Sequence, residues 1–226
     1  MLHNQLFIDD MVISWDCQVV SCIVIKTMLT FTKRMTIMKN YWFTSDWHLH
    51  HKNILKFTKR PYSSLEDMHE AYIEWNNKNV SENDEVWNLG DLTFGQLDVT
   101  KSILKRLKGK HHLVLGNHDI NISNHRNELL REGLLASVHQ YKELKIDRQK
   151  LILFHYPMRS WNNSNYGSFH LFGHVHGNME PFGKSVDVGI DSEYITGNLE
   201  CRPFHYDEIV KFMMNRKIEK DYMESK

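Results

Sequence analysis

An α/β domain is the fold class the sequence predicts from Tyr41 onward, and three observations predict it. Short runs of aromatic, aliphatic and β-branched residues recur, stretches of helical periodicity lie between several of them, and the runs end repeatedly in polar loops carrying Asp, Asn or His. In open α/β sheets ligands sit just beyond the carboxyl ends of the strands, so those loops are where chemistry is expected.

At 226 residues the chain is long enough to bury a substantial core as one domain or at most two, and one is the better fit. Lys plus Arg and Asp plus Glu both number 28, so no global basic field holds a polyphosphate backbone; a nucleic-acid partner is left open but unsupported by charge. The three cysteines, Cys17, Cys22 and Cys201, form no Cys-x-x-Cys pair, which argues against a disulfide framework or structural zinc and for a reducing cytoplasm. Fifteen histidines are many, and histidine is both the commonest metal ligand and a frequent acid or base.

Residues 1–38 read differently from the rest. Their apolar stretch at 19–25 is too short to span a bilayer. Asp9, Asp10 and Asp16 precede it where a secretory signal needs positive charge, so neither membrane insertion nor export is expected. Met35 and Met38 stand just before the first convincing strand. The expectation is that translation starts there, with 1–38 an extension outside the fold and 39–226 the domain.

The first strand, residues 41–44, ends at Ser45-Asp46-Trp47-His48. Ser63, with Glu66 three residues on, reads as a capping box opening a helix whose Leu65, Met68, Tyr72 and Trp75 recur at core-facing spacing. Residues 86–89 form a buried strand ending at Gly90-Asp91. A helix over 99–107 turns Ile103, Leu104 and Leu107 inward and leaves Lys101, Lys105, Arg106 and Lys108 as a solvated basic face. The strand 113–115 delivers Gly116-Asn117-His118-Asp119, after which Ser123 is expected to cap a helix running to Gly133. Strands follow at 138–146, 151–154, 168–172 and 185–190, and an amphipathic helix from Asp207 to about Ile218 closes the pattern.

Five of these strands end in metal-competent side chains: Asp46 and His48; Asp91; Asn117 and His118; His155; His174 and His176. If the backbone stays extended, i and i+2 share a side, so Asp46 and His48 converge, as do His174 and His176. Asp91 offers the two oxygens that bridging two cations requires. Taken singly, each block has a plainer reading, a polar turn at Gly-Asn-His-Asp or a hydrogen-bonded core histidine at His155. Their recurrence in order at strand ends outweighs those readings, because together they supply the mixed donor set of a dinuclear hydrolase.

The ordered blocks Asp46-x-His48, Gly90-Asp91, Gly116-Asn117-His118-Asp119, His155 and Gly173-His174-x-His176 resemble the signature of the calcineurin-like metallophosphoesterase superfamily, from Tyr41 to the closing helix. A closer likeness, to its small uncharacterised bacterial and phage members, lies in His51-Lys52-Asn53-Ile54, Arg60-Pro61, His155-Tyr156-Pro157 and Val188-Gly189-Ile190-Asp191. The resemblance implies a four-layer α-β-β-α sandwich with two metals between the strand ends. Asp46, His48, Asp91 and His176 would hold one metal, Asp91, Asn117, His155 and His174 the other, and His118 would be catalytic. Two departures bear on the pocket rim: Phe154 stands where glycine often precedes the histidine, and His50 where a small residue is usual.

Two cations about 3.5–4 Å apart activate a bridging water for in-line attack on phosphorus and neutralise the phosphoryl oxygens. His118 would then contact the phosphate or protonate the leaving oxygen, with Asp119 fixing its tautomer. His51 is near enough in sequence to reach the pocket. Arg159 reads either as a phosphate clamp or as an ordinary surface arginine. The segments between blocks are too short for a large cap, so the loop 161–168 is expected either to stack a base and bind a sugar or to be a plain turn. The favoured activity is a phosphodiesterase on a nucleotide-type substrate, using manganese, iron, zinc, cobalt or nickel. Phosphomonoester hydrolysis and a non-catalytic metal-binding scaffold are the alternatives.

Overall fold

The computed structural model of the protein describes residues 39–219, so the expected extension at 1–38 lies outside the described residues. Strand β1 (Tyr41–Thr44) is followed by a short helix α1 (Ile54–Phe57), α2 (Leu65–Asn79), β2 (Glu85–Asn88), α3 (Leu97–Leu104), β3 (Lys110–Val114), α4 (Ile120–Arg131) and β4 (Ser137–His139). Then come β5 (Lys142–Ile146), β6 (Gln149–Leu153), a 3-10 turn (Ser164–Tyr166), β7 (Phe169–Phe172), β8 (Ser185–Asp187), β9 (Phe204–His205) and α5 (Tyr206–Met214).

Two sheets result. One has the order β4-β3-β2-β1-β9, parallel except for the edge strand β9; the other has the order β5-β6-β7-β8, parallel except for β5. One face of the first sheet meets α2, α3 and α4 through Met68, Tyr72, Ile73, Ile103, Leu104, Ile122 and Leu129. The second core lies between the sheets, where Phe43, Trp87 and Val114 pack with Leu151, Leu153, Phe169, Leu171 and Val186, and α5 adds Ile209 and Met213. Alternation along β7 leaves His170 to the other side, where Trp161 covers it with ring centroids 5.3 Å apart. The architecture is an α/β sandwich of two sheets, as expected.

Local details depart from the sequence reading. The α2 cap is Ser64, whose hydroxyl accepts from the Asp67 N–H, while Ser63 bonds the Asp67 side chain. Ser123 lies inside α4, its N–H donating to the Asp119 carbonyl, so Asp119 occupies the N-cap position. The single strand expected over 138–146 is two: β4 pairs with β3, and after Gln140-Tyr141 the chain enters the other sheet as β5. Hydrophobic periodicity cannot register that change of partner. His205 caps α5: its ring accepts from the Asp207 N–H, and the Glu208 carboxylate accepts from the His205 N–H.

What positions the site is the alignment of strand ends. Thr44 is level with Asn88 and Asn88 with Leu113, so the loops carrying Asp46, Asp91 and Asn117 emerge side by side. Leu153 is level with Leu171, which sets the loops of His155 and His174 together in the other sheet. The sheets join at that end: Ser45 bridges Gly189, and the Ile190 N–H donates to the Ser45 carbonyl at 3.2 Å. Gly173 is pressed against this joint, and a methyl group there would collide with the Ser45 side chain and the Asp46 carboxylate. Gly173→Ala is therefore expected to cost about 1–3 kcal/mol of unfolding free energy by overpacking, read from denaturant midpoints. An unchanged midpoint would mean the sheets do not meet there.

Candidate active site

The ligand-type residues sit just past the strand ends, on backbone that is not extended. Asp46, His48, Asp91, His174 and His176 have φ of 58°, 50°, 54°, 71° and 49°. Non-glycine residues rarely enter this left-handed region; each costs of order 1–3 kcal/mol and persists only where its surroundings impose it. The pairs Asp46/His48 and His174/His176 thus converge through alternating left-handed residues, not through a strand pleat. That corrects the extended geometry expected from the Asp-x-His and His-x-His spacing.

Two groups of side chains result, Asp46 with His48 and His176, and Asp91 with His155 and His174; within each, the donor atoms lie within 4.8 Å of one another. Asp91 Oδ2 connects the groups, lying 3.5 Å from His155 Nε2 and 3.7 Å from His48 Nε2. Asn117 Oδ1 is 3.1 Å from His155 Nε2, and His48 and His176 bring their Nε2 atoms within 3.2 Å. Asp46 is wholly buried; its Oδ2 accepts from the His174 N–H at 2.9 Å, while its Oδ1 has no hydrogen-bond partner. A buried carboxylate oxygen left bare is costly, and a divalent cation is the compensation that fits a pocket of imidazoles and carboxylates.

Hydrogen bonds fix the donors. The Leu89 carbonyl and the Asp191 carboxylate can only accept, so His155 and His176 each donate Nδ1–H to them, at 2.7 and 2.6 Å, and turn Nε2 toward the cluster. Burial alone would raise Asp91, but the His155 imidazole and the His118 N–H, which donates to Oδ1 at 2.9 Å, hold its pKa below the usual range. His118 itself is partly open to solvent, its Nε2 4.0 Å from Asp91 Oδ2 and its ring 4.5 Å from Phe94. His51 joins the same aromatic group, with its ring centroid 4.3 Å from Phe94 and 5.7 Å from His48.

Asp119 has a different task from the expected one. Its buried carboxylate accepts from three backbone N–H groups, those of Asp91 (2.8 Å), Leu92 (2.9 Å) and Gly116 (2.9 Å), instead of orienting the His118 ring. Burial raises its pKa to about 6 despite those bonds. It therefore ties the Asp91 loop to the Gly116 loop. The loop 161–168 also departs from expectation: Trp161 is buried and donates Nε1–H to Ser168, so it is packing and not a base platform. Arg159 lies 3.8 Å above the Phe182 ring, lining a small cleft with Trp161, Ser164 and Lys184.

A second brace was not legible beforehand. Buried Arg60 donates Nε–H and Nη2–H to the two oxygens of Asp191 at 2.8 and 2.6 Å, and also reaches the carbonyls of Asp46 and Trp47 at 2.6 and 2.9 Å. One guanidinium thus pins the Asp46 loop and, through Asp191, the His176 ring. Asp187, fully buried beside Asp46, accepts from the Gly177 and Gly189 N–H groups; burial and then the Asp46 charge push its pKa up. In the sequence Arg60-Pro61 and Val188-Gly189-Ile190-Asp191 stand out only as likenesses, because nothing local pairs residues 131 positions apart.

No family model matches the chain. An uncharacterized protein of Methanocaldococcus jannaschii is 28% identical over 191 residues, spanning 80% of this chain and 95% of that protein. The crystal structure of a protein of unknown function from Aquifex aeolicus covers 77% of this chain and 99% of its own, with a TM-score of 0.58 at 20% identity, and so has the same fold. An archaeal phosphodiesterase of known structure covers 70% of this chain and 88% of its own, at a TM-score of 0.42 and 21% identity.

The Arg60–Asp191 brace has a pH signature. Burial would raise Asp191, yet the bonds from Arg60 and His176 hold it at about 2, below the ordinary 3.8. A depressed carboxylate stabilises the fold above its unfolded pKa and loses that contribution as pH falls through the folded one. The deficit of Asp191→Asn relative to the parent, measured in denaturant, should therefore be roughly 2 kcal/mol larger at pH 7 than near pH 2. An equal deficit at both would contradict the brace.

Proposed function

We propose that the chain is a metal-dependent phosphodiesterase with a dinuclear centre, acting on a nucleotide-type substrate. The observation that carries this reading is the position of Asp91 Oδ2, within 3.5–4.0 Å of the Nε2 atoms of His155, His48 and the half-exposed His118. One carboxylate stands between two donor groups, and a solvent-facing imidazole stands over it. On this reading Asp46, His48, Asp91 and His176 hold one divalent ion and Asp91, Asn117, His155 and His174 the other. The unpartnered Asp46 Oδ1 supports it.

Two divalent ions held there would supply an activated water and neutralise charge on the phosphoryl oxygens. The remaining work falls to this chain's own groups. His118 binds a phosphoryl oxygen or gives its proton to the departing alkoxide, and its ring is steadied by Phe94 at 4.5 Å and by its backbone bond to Asp91. Asp119 and the Arg60–Asp191 pair hold the two halves of the donor set in register. A scaffold that had lost catalysis would be expected to lack donors or His118, and this chain keeps them all.

Hydrolysis of bis-p-nitrophenyl phosphate and p-nitrophenyl phosphate by metal-stripped protein, with manganese, nickel or zinc restored singly, tests the reading. Metal-dependent release from the diester is expected to exceed that from the monoester. The reverse preference points to a phosphatase, and cleavage of neither removes the enzymatic reading. His118→Ala should keep its metal and lose about 10²–10⁴-fold in turnover; unchanged turnover would strip His118 of its role.

A further inference from the structure

Residues 51–60 carry four basic side chains and no acidic one, in a chain whose formal charge is zero. Arg60 is spent internally on Asp191, but Lys52, Lys56 and Lys59 are exposed and, among the described residues, have no ion-pair or hydrogen-bond partner. Between them α1 turns Phe57 outward with 72% of its surface exposed, an unusual place for so large an apolar ring. Phe57 and Lys59 line a cleft of about 290 Å³ together with Asn178, Asp191, Glu193 and His176, and His176 also belongs to the Asp46 donor group. From Phe57 a row of rings leads inward. His51 is 6.0 Å from Phe57 and 4.3 Å from Phe94, and Phe94, itself 38% exposed, is 4.5 Å from His118.

We propose that this basic and aromatic rim, the Lys52–Lys59 segment with the cleft beside His176, binds single-stranded nucleic acid and leads one phosphate toward His118. Ammonium groups track a phosphate backbone, while exposed rings accept the π-face of any base, which is the pairing that holds single strands without sequence preference. A duplex keeps its bases stacked on one another and has none to offer Phe57, so a single strand is the partner that uses both features. The cleft's two carboxylates do not cancel the patch: Asp191 is neutralised by Arg60, and Glu193 can accept from sugar hydroxyls or base amino groups, while Lys59 in the cleft and Lys52 and Lys56 outside it make up the basic rim. The neutral whole-chain charge concealed this patch, because no acidic residue falls within 51–60 itself. The binding surface stands on these side chains, and only the cutting of the bound strand rests on the proposed phosphodiesterase activity.

The test uses the full chain and a fluorescent 12-nucleotide single strand in chelator, read by anisotropy at two salt concentrations, with bis-p-nitrophenyl phosphate hydrolysis measured separately in manganese. The parent should bind with a log–log salt slope of about −2, for three phosphates at roughly 0.7 each. Phe57→Ala should weaken binding about 5- to 100-fold. The combined Lys52→Gln, Lys56→Gln and Lys59→Gln variant should weaken it further and flatten the slope. Both should keep the hydrolysis of the small diester within about twofold. Failure of the parent to bind, variants that bind as the parent does, or displacement of the strand by an equal concentration of a nucleoside monophosphate would each overturn the proposal. Strand binding without cleavage of any diester would instead uphold the surface and remove the phosphodiesterase reading.

Discussion

Two carboxylates, Asp46 and Asp91, are buried at the end of the sandwich where the sheets meet, 0% and 2% exposed. Uncompensated charge at such depth is not tolerated in a folded protein, so the surroundings must supply the compensation. Backbone N–H groups take one oxygen of each: His174 donates to Asp46 and His118 to Asp91. The other oxygens face imidazoles at 3.5–4.0 Å, too far for hydrogen bonds and suited to a shared cation. The left-handed residues around them are part of the same solution, since in this fold they bring both members of each pair to one point.

Strain of this kind persists only where neighbours over-determine it, and here the neighbours form two separate braces. Asp119 binds the N–H groups of Asp91, Leu92 and Gly116 and so joins the loops after β2 and β3. Arg60 and Asp191 join the loop after β1 to the His176 ring. The Asp119 brace is wholly buried, while Asp191 also lines the cleft beside His176. The division matches the donor groups, one brace serving Asp46, His48 and His176 and the other serving Asp91.

The grouping of Asp46, His48 and His176, and of Asp91, His155 and His174, was legible in the sequence because each stands within a few residues of the end of an apolar run, and such a run marks a strand end without help from tertiary structure. Most strands were legible for the same reason, though the two-residue edge strand β9 was not, and parallel pairing then aligns Thr44 with Asn88 and Leu113. What escaped was everything set by partners distant in sequence. Arg60 meets Asp191 across 131 residues, and residues 138–146 read as one strand although their halves join different sheets. Asp119 was noticed for its neighbour His118, whereas its bonds run to Asp91 and Leu92 in another loop. The left-handed turns were likewise invisible, since Asp and His at those positions carry no glycine-like signal.

The central claim is that Asp91 is shared between two cations. Electron paramagnetic resonance of the protein loaded with manganese tests it most directly, because two ions bridged at roughly 3.5–4 Å couple magnetically whereas isolated ions do not. The account predicts two manganese ions per chain and a spin-coupled multiline spectrum that disappears in Asp91→Asn. One ion per chain, or two that give only the uncoupled six-line signal, would contradict it.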